Sequence, residues 1–362
     1  MSTNKIIFQT IIPDESLQKI LKQSENMQNI FDVSEFLSRE FKIDITADKD
    51  IINGYERDSS NINGNGDILC RPKNELECAL ILQWFQSAQI PMTISAGKTN
   101  LTGSATPKGG VVLSTEKMTQ PAVKVDSVAN TVSTPVGIYL EDMRKEVLRQ
   151  SNKTLHYPVD PTSREEAMVG GTLSCNASGF IPGPAGATRF WTEGLDFLTA
   201  DGYKISCRRG DYVSENGEFI MEYPDKSVIL TIPTYPRPEI KNASGPFSDV
   251  NGRIDLVDFL VGSEGIFGVI TSAIFALKEM PDDFLDLFFT LPKELDAVHF
   301  HQYISNHFNG DLSQITALEY FGYNCQTYMN HREKLFHSTS EVGIYLQIPL
   351  YNKMVEDVAE NW

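Results

Sequence analysis

Three glycine-bearing segments hold the residues best suited to chemistry. The first is Ser95-Ala96-Gly97-Lys98-Thr99-Asn100-Leu101-Thr102-Gly103-Ser104. A glycine-containing turn can aim successive backbone N–H groups at an anion. Thr99, Asn100, Thr102 and Ser104 can add side-chain hydrogen bonds, and a diphosphate is the natural guest. The segment is neither a Walker A loop nor a G-x-G-x-x-G fingerprint. The second is Tyr157-Pro158-Val159-Asp160-Pro161-Thr162-Ser163, then Val169 through Gly170-Gly171, Ser174, Asn176 and Gly179. Paired glycines let a backbone approach a flat or extended ligand closely. The third runs from Val261 to Thr271 and includes Gly262, Glu264, Gly265, Gly268, Val269 and Ile270. A buried strand rarely needs so many glycines unless something packs on its backbone. Taken singly, the first reads equally well as a surface turn, the second as a tightly packed turn and helix start, and the third as a glycine-rich turn leading into a core strand.

Other chemistry-bearing residues are fewer. His156 precedes the second segment and is a candidate general base if its pKa sits near operating pH. His299 and His301 fall on a predicted helix, with His307 a later turn; an H-x-H spacing on a helix points two rings apart, so both cannot grip one metal. Asp282-Asp283 and Glu165-Glu166 read as solvated charges.

The elements that must position these residues follow from periodicity. Residues 1–60 read as a mainly helical segment, with helices over Ser16 to Ser24 and Val33 to Phe41. Asn61 to Gly66 is a turn-rich boundary. Glu75 to Gln89 predicts an amphipathic helix whose apolar side includes Leu76. Strands are predicted over Pro91 to Ser95 and Val111 to Ser114. A hairpin follows over Val123 to Asp126 and Thr131 to Thr134, then a helix over Ile138 to Gln150. Residues 160–187 show little periodicity. Gly194 to Ala200 and Tyr203 to Cys207 form a hairpin around Asp201-Gly202, and Phe267 to Leu277 is a strand. After Pro281 the order is β-α-β-α-β, with strands at Leu285 to Leu291, Ile315 to Phe321 and Val342 to Leu350. Helices are predicted over Glu294 to Phe308 and Gln326 to Phe336. This reads as a separate α+β domain that stops inside the start of another helix.

In this order the three segments resemble the FAD-binding domain of the vanillyl-alcohol oxidase (PCMH-type) superfamily, in the branch of FAD-linked D-lactate dehydrogenases and glycolate oxidases. Leu101-Thr102-Gly103 matches the end of that family's diphosphate loop. Asp160-Pro161-Thr162-Ser163 and the Gly170-to-Gly179 run match its flavin-lining turn. Gly262 to Thr271 matches its G-S-E-G strand, and the likeness covers residues 61–281. It implies an α+β fold: two α+β subdomains with an extended FAD between them, then an incomplete α+β substrate or cap domain over 282–362. It implies cofactor contacts from Ala96, Gly97, Lys98, Thr99, Asn100, Thr102, Gly103, Ser104, Asp160, Pro161, Ser163, Gly170, Gly171, Ser174, Asn176, Gly179, Glu264, Gly265, Val269 and Ile270. Arg189, in a stretch like the family's glycine–threonine–arginine run, is a second candidate toward substrate. Two departures stand out. Ser95-Ala96-Gly97-Lys98-Thr99 replaces an R-G-G-G-T loop, and the loop has no histidine, so covalent attachment there is excluded. The branch's C-terminal H-x-G-D-G-N-x-H motif is not found.

The implied activity is FAD-dependent oxidation of a CH–OH group, with non-covalent FAD taking a hydride from a small 2-hydroxy acid resembling D-lactate or glycolate. The alternatives are an oxidase of a phenol, sugar, amine or other alcohol, a non-oxidative group-exchange relative, and a non-catalytic FAD-binding subunit. The electron acceptor is an unidentified partner, and an oligomer is left open. A formal net charge of −17 argues against nucleic acid and against an anionic membrane surface. No apolar run reaches the roughly 18 residues of a membrane span. Five cysteines without C-x-x-C spacing argue against a disulfide framework or a zinc site and for a cytoplasmic protein with no bound metal.

Overall fold

The computed structural model describes residues 2–24, 27, 29–234, 248–249, 251–329 and 335–359. One layer is a four-stranded sheet in the order Ile45–Thr46, Ile68–Cys70, Val111–Ser114, Met92–Ser95. The last three strands are parallel, in the register Ile68↔Val111 and Met92↔Val111. Every residue of Ile68–Cys70 and Val111–Ser114 is buried, which is why both are unbroken apolar or small-residue runs rather than alternating ones.

The helix Glu75–Ser87 links this sheet's strands. Asn74 opens it by accepting the Glu77 N–H at 2.9 Å, while the Glu77 carboxylate takes the Lys73 N–H, a reciprocal cap. The helix is not amphipathic as expected. Leu76 is exposed, whereas Cys78 to Leu82, Trp84 and Phe85 are all buried. The cause is its neighbours: helices Asp14–Ser24 and Ile30–Phe41 cover one side and strand Thr192–Thr199 another. The Phe36 ring lies 4.8 Å from that of Trp84.

A second layer is an antiparallel five-stranded sheet in the order Lys204–Arg208, Thr192–Thr199, Gly268–Ala276, Thr131–Pro135, Lys124–Asp126. The hairpin turn at Asp201-Gly202 holds Gly202 at φ +82°, a conformation glycine adopts without cost. Helices Leu140–Gln150 and Val169–Ser174 pack near it. A three-stranded sheet pairs Lys5–Ile7 in parallel with Glu218–Glu222, which pairs antiparallel with Ser227–Thr231. Residues 1–60 therefore carry strands as well as helices. One apolar cluster runs from Ile6 to Leu277 and joins all these layers.

Beyond Pro281 the strands Asp283–Leu291 and Ala317–Phe321 both pair antiparallel with a central Val342–Leu350. The helix Glu294–His307 covers this sheet, and Leu285, Ile304, Ile315, Leu346, Ile348 and Leu350 form a core of their own. The helix expected over Gln326 to Phe336 is absent where the residues are described. Tyr323–Tyr328 is a short 3-10 turn, consistent with the weak helix propensity of Asn, Thr and Tyr, and residues 330–334 lie outside the described residues.

Candidate cofactor site

The two large sheets point loops at one another across a narrow cleft of about 150 Å³. Strand Met92–Ser95 delivers the first wall, helix Val169–Ser174 the floor, and the start of strand Gly268–Ala276 the third side. Of the expected residues, Ala96, Gly97, Lys98, Thr99, Asn100 and Ser104 line it from the first segment. Ser163, Gly170, Gly171 and Ser174 line it from the second, and Glu264, Gly265, Val269 and Ile270 from the third.

Thr102, Gly103, Asp160, Pro161, Asn176 and Gly179 are not among the lining residues. Some of them order the surrounding backbone. The Asn100 Oδ1 accepts the N–H groups of Thr102, Gly103 and Ser104 at 3.2, 3.1 and 3.3 Å. Three of the loop's backbone donors, those of residues 102–104, thus face the Asn100 amide oxygen. Asn176 is fully buried with φ 47°, and its Oδ1 accepts the Arg189 N–H at 2.8 Å. A Cβ on Gly179 would come within 2.6 Å of the Asp160 nitrogen. Ser95, Thr115, Met168, Thr172, Cys175 and Gly268 also line the cleft, and sequence reasoning did not single them out. Ser95 opens the first motif, Thr172 and Cys175 lie in the second and Gly268 in the third; Thr115 and Met168 lie in none of them.

The glycines of these segments chiefly let chain approach chain. A Cβ on Gly97 would lie 2.3 Å from the Glu166 carbonyl oxygen and 2.9 Å from the Met168 nitrogen. Gly268, at φ +147°, would place a Cβ 2.0 Å from the Leu198 oxygen. Gly97 thus brings two walls of the cleft together, while Gly268 lets its strand close on the neighbouring strand Thr192–Thr199, in keeping with the expectation that something packs on that strand's backbone.

Among the described residues lining the cleft, Lys98 is the one basic side chain and Glu264 the one acidic side chain. Burial holds the Lys98 ammonium below its ordinary pKa, with Glu116 acting the other way. Neither catalytic candidate lines the cleft. His156 sits on the strand Leu155–His156, paired with Lys278. Burial, then the Arg144 and Lys278 charges, push its pKa down to about 4. Arg189 is buried, and its Nη2 donates to the Val261 carbonyl at 2.7 Å. Its own carbonyl accepts from Arg209 at 2.8 Å. His301 lines a separate groove between the last domain and Phe180 to Pro184.

Residues 67–208 match the family model described as FAD binding domain. The chain is 29% identical over 233 residues to a D-lactate dehydrogenase of Archaeoglobus fulgidus, covering 64% of this chain and 43% of that protein. It is 28% identical to the glycolate oxidase subunit GlcD of Bacillus subtilis, over 60% of this chain and 38% of the relative. It is 24% identical to a D-2-hydroxyglutarate dehydrogenase of Stutzerimonas stutzeri, over 76% and 50%. The chain spans half or less of the length of these relatives. Among solved structures, an alkyldihydroxyacetonephosphate synthase aligns with a TM-score of 0.64 at 16% identity, over 88% of this chain and 56% of that one. A 6-hydroxy-D-nicotine oxidase from Arthrobacter nicotinovorans aligns with a TM-score of 0.55 at 17% identity, over 88% and 57%.

Residues 67–208 are similar to the FAD binding domain family, and the chain has the mixed α+β fold of these solved structures. The cleft's own chemistry fits that cofactor. The Ser95 hydroxyl, 1% exposed, lies in its wall with no hydrogen-bond partner among the described residues, and buried polar groups without partners are rare. Among the described residues no helix is long and apolar enough to cross a membrane.

Proposed function

We propose that this chain binds one FAD non-covalently in the cleft between its two large sheets and serves an oxidoreductase acting on the CH–OH group of a small 2-hydroxy acid. The observation that carries this reading is the convergence of three separated segments on one cleft, residues 95–104, 163–177 and 264–270, within a chain whose curated relatives are named for D-lactate, glycolate and D-2-hydroxyglutarate.

When bound, the flavin supplies the hydride acceptor. The chain's own residues hold and orient it. Ala96, Gly97 and the Gly170-Gly171 pair give a backbone wall, the Ser95, Thr115 and Thr172 hydroxyls give hydrogen-bonding groups, and Lys98 gives a cation. Half-buried His156 and buried Arg189, neither of which lines the cleft, have structural roles in this reading. Residues 61–281 form the cofactor-binding unit, 1–60 an N-terminal segment packed on it, and 282–362 the cap side of the substrate site. The five cysteines are all free thiols, which fits the reducing cytoplasm. The electron acceptor is a separate partner.

Anaerobic titration of the flavin-loaded chain with D-lactate, glycolate and D-2-hydroxyglutarate tests the substrate class. Bleaching of the long-wavelength flavin band by one of them is the expected result. A chain that holds flavin yet is bleached by none of them lacks the proposed activity.

A further inference from the structure

The cleft's one cation does not stand alone. Lys98 Nζ sits 4.3 Å from the centroid of the Tyr55 ring. Tyr55 ends a short 3-10 turn, Asn53–Tyr55, ahead of the matched domain. Its hydroxyl donates to both Glu116 carboxylate oxygens, at 2.7 and 2.8 Å. Glu116 faces Arg71 at 3.7 Å, and Arg71 pairs with Asp44 at 3.1 Å. Asp44 also pairs with Lys117. The tyrosine ring is thus fixed from its far end by a charged chain anchored on the four-stranded sheet.

The same short segment pins the loop's backbone at two places. The Ser59 N–H and hydroxyl both donate to the Lys98 carbonyl, at 3.0 and 3.3 Å. The Asp58 carboxylate accepts the Ala105 N–H at 3.2 Å. Lys98 itself has φ 57°, a conformation that a non-glycine residue keeps only when its surroundings hold it.

We infer that Tyr55 is a positioning residue for Lys98, holding its ammonium toward the cleft as the cation for the diphosphate of a bound dinucleotide. This rests on the FAD reading above. Lys98 is the one basic side chain on the described wall, so a charge-assisted contact to an anion there falls to it. An aromatic face under an ammonium holds it by attraction without removing its charge. A lysine free in solvent would lose side-chain entropy on pairing with the diphosphate, and one already seated on a ring loses less.

The test measures binding of FAD and of riboflavin, which lacks the diphosphate, to the full chain freed of flavin, by quenching of flavin fluorescence. Lys98→Met keeps the apolar stem on the ring and should weaken FAD binding about tenfold, as expected for loss of a charge-assisted contact, with riboflavin binding unchanged. Tyr55→Leu should weaken FAD binding about threefold, and Tyr55→Phe, which keeps the ring, should restore most of it. Tyr55→Leu combined with Lys98→Met should bind no worse than Lys98→Met alone. An unchanged FAD-to-riboflavin ratio in Lys98→Met overturns the assignment of the lysine. Further loss from Tyr55→Leu in the lysine-free background overturns the positioning role. Failure of the unmodified chain to take up FAD overturns the cofactor reading and this inference with it, a result separate from either of the others.

Discussion

Replacing Gly97 by alanine isolates the packing that shapes the cleft. No positive φ is involved at Gly97, so alanine suits the backbone and only the collision remains. The added Cβ would lie 2.3 Å from the Glu166 oxygen, 2.9 Å from the Met168 nitrogen and 3.1 Å from the Ala167 Cα. All three are backbone atoms, which cannot swing away as a side chain would. Ordinary contact needs a separation more than about 1 Å larger, so the loop of residues 96–104 must part from residues 166–168. Overpacking of this kind costs about 1–3 kcal/mol. For a unit of this size that lowers Tm by roughly 2–4 °C per kcal/mol, or roughly 5 °C for a mid-range cost. The same displacement opens the cleft wall, so FAD affinity should fall along with stability. Thermal unfolding by circular dichroism and FAD titration measure both effects. Gly54→Ala is the control: nothing lies within 4 Å of its Cβ, and it should leave both unchanged. If Gly97→Ala matches Gly54→Ala in Tm and FAD affinity, the claim that Gly97 brings the two walls together is wrong.

His156 should make stability depend on pH in the acid range. Its folded pKa is about 4 against an unfolded value of about 6.5. Between those values the unfolded chain holds a proton that the folded chain does not. Stability is therefore full above about pH 6.5 and should fall by about 2–3 kcal/mol as pH drops toward 4. Urea unfolding at pH 7 and pH 5 reads this, and His156→Gln should flatten the slope over that window. Asn176→Ala should cost about 2–3 kcal/mol, because it strains a left-handed residue and leaves the buried Arg189 N–H unpaired. Asn176→Gly, which keeps the φ of 47° without strain, should cost less. Equal losses for the two would show that the conformation at this position contributes nothing.

Strands with clear alternation or an unbroken apolar run were readable from sequence, among them Val111–Ser114 and the hairpin around Asp201-Gly202. The helix Val169–Ser174 was legible only as one of two readings of its segment, since it is six residues long and opens on Val169-Gly170-Gly171, and glycine carries a poor helix propensity. Strand Lys5–Ile7 was hidden for another reason: its partner Glu218–Glu222 lies more than two hundred residues away, and three residues hold too little period to detect. The three motif segments could be read because each wall of the cleft is nearly contiguous in sequence. Thr115 could not, because it enters the cleft only through the pairing of Met92–Ser95 with Val111–Ser114. Tyr55 and Asp58 were hidden as well. Their tie to residues 98–105 is purely tertiary, and no local pattern marks it.

The account's central claim is a flavin in the cleft, and the visible spectrum of the purified chain before and after acid precipitation tests it most directly. The account predicts a two-band flavin spectrum whose colour stays in the supernatant, the sign of a non-covalent cofactor. A colourless chain that cannot be reconstituted with FAD would contradict it, and colour retained in the pellet would contradict the non-covalent part.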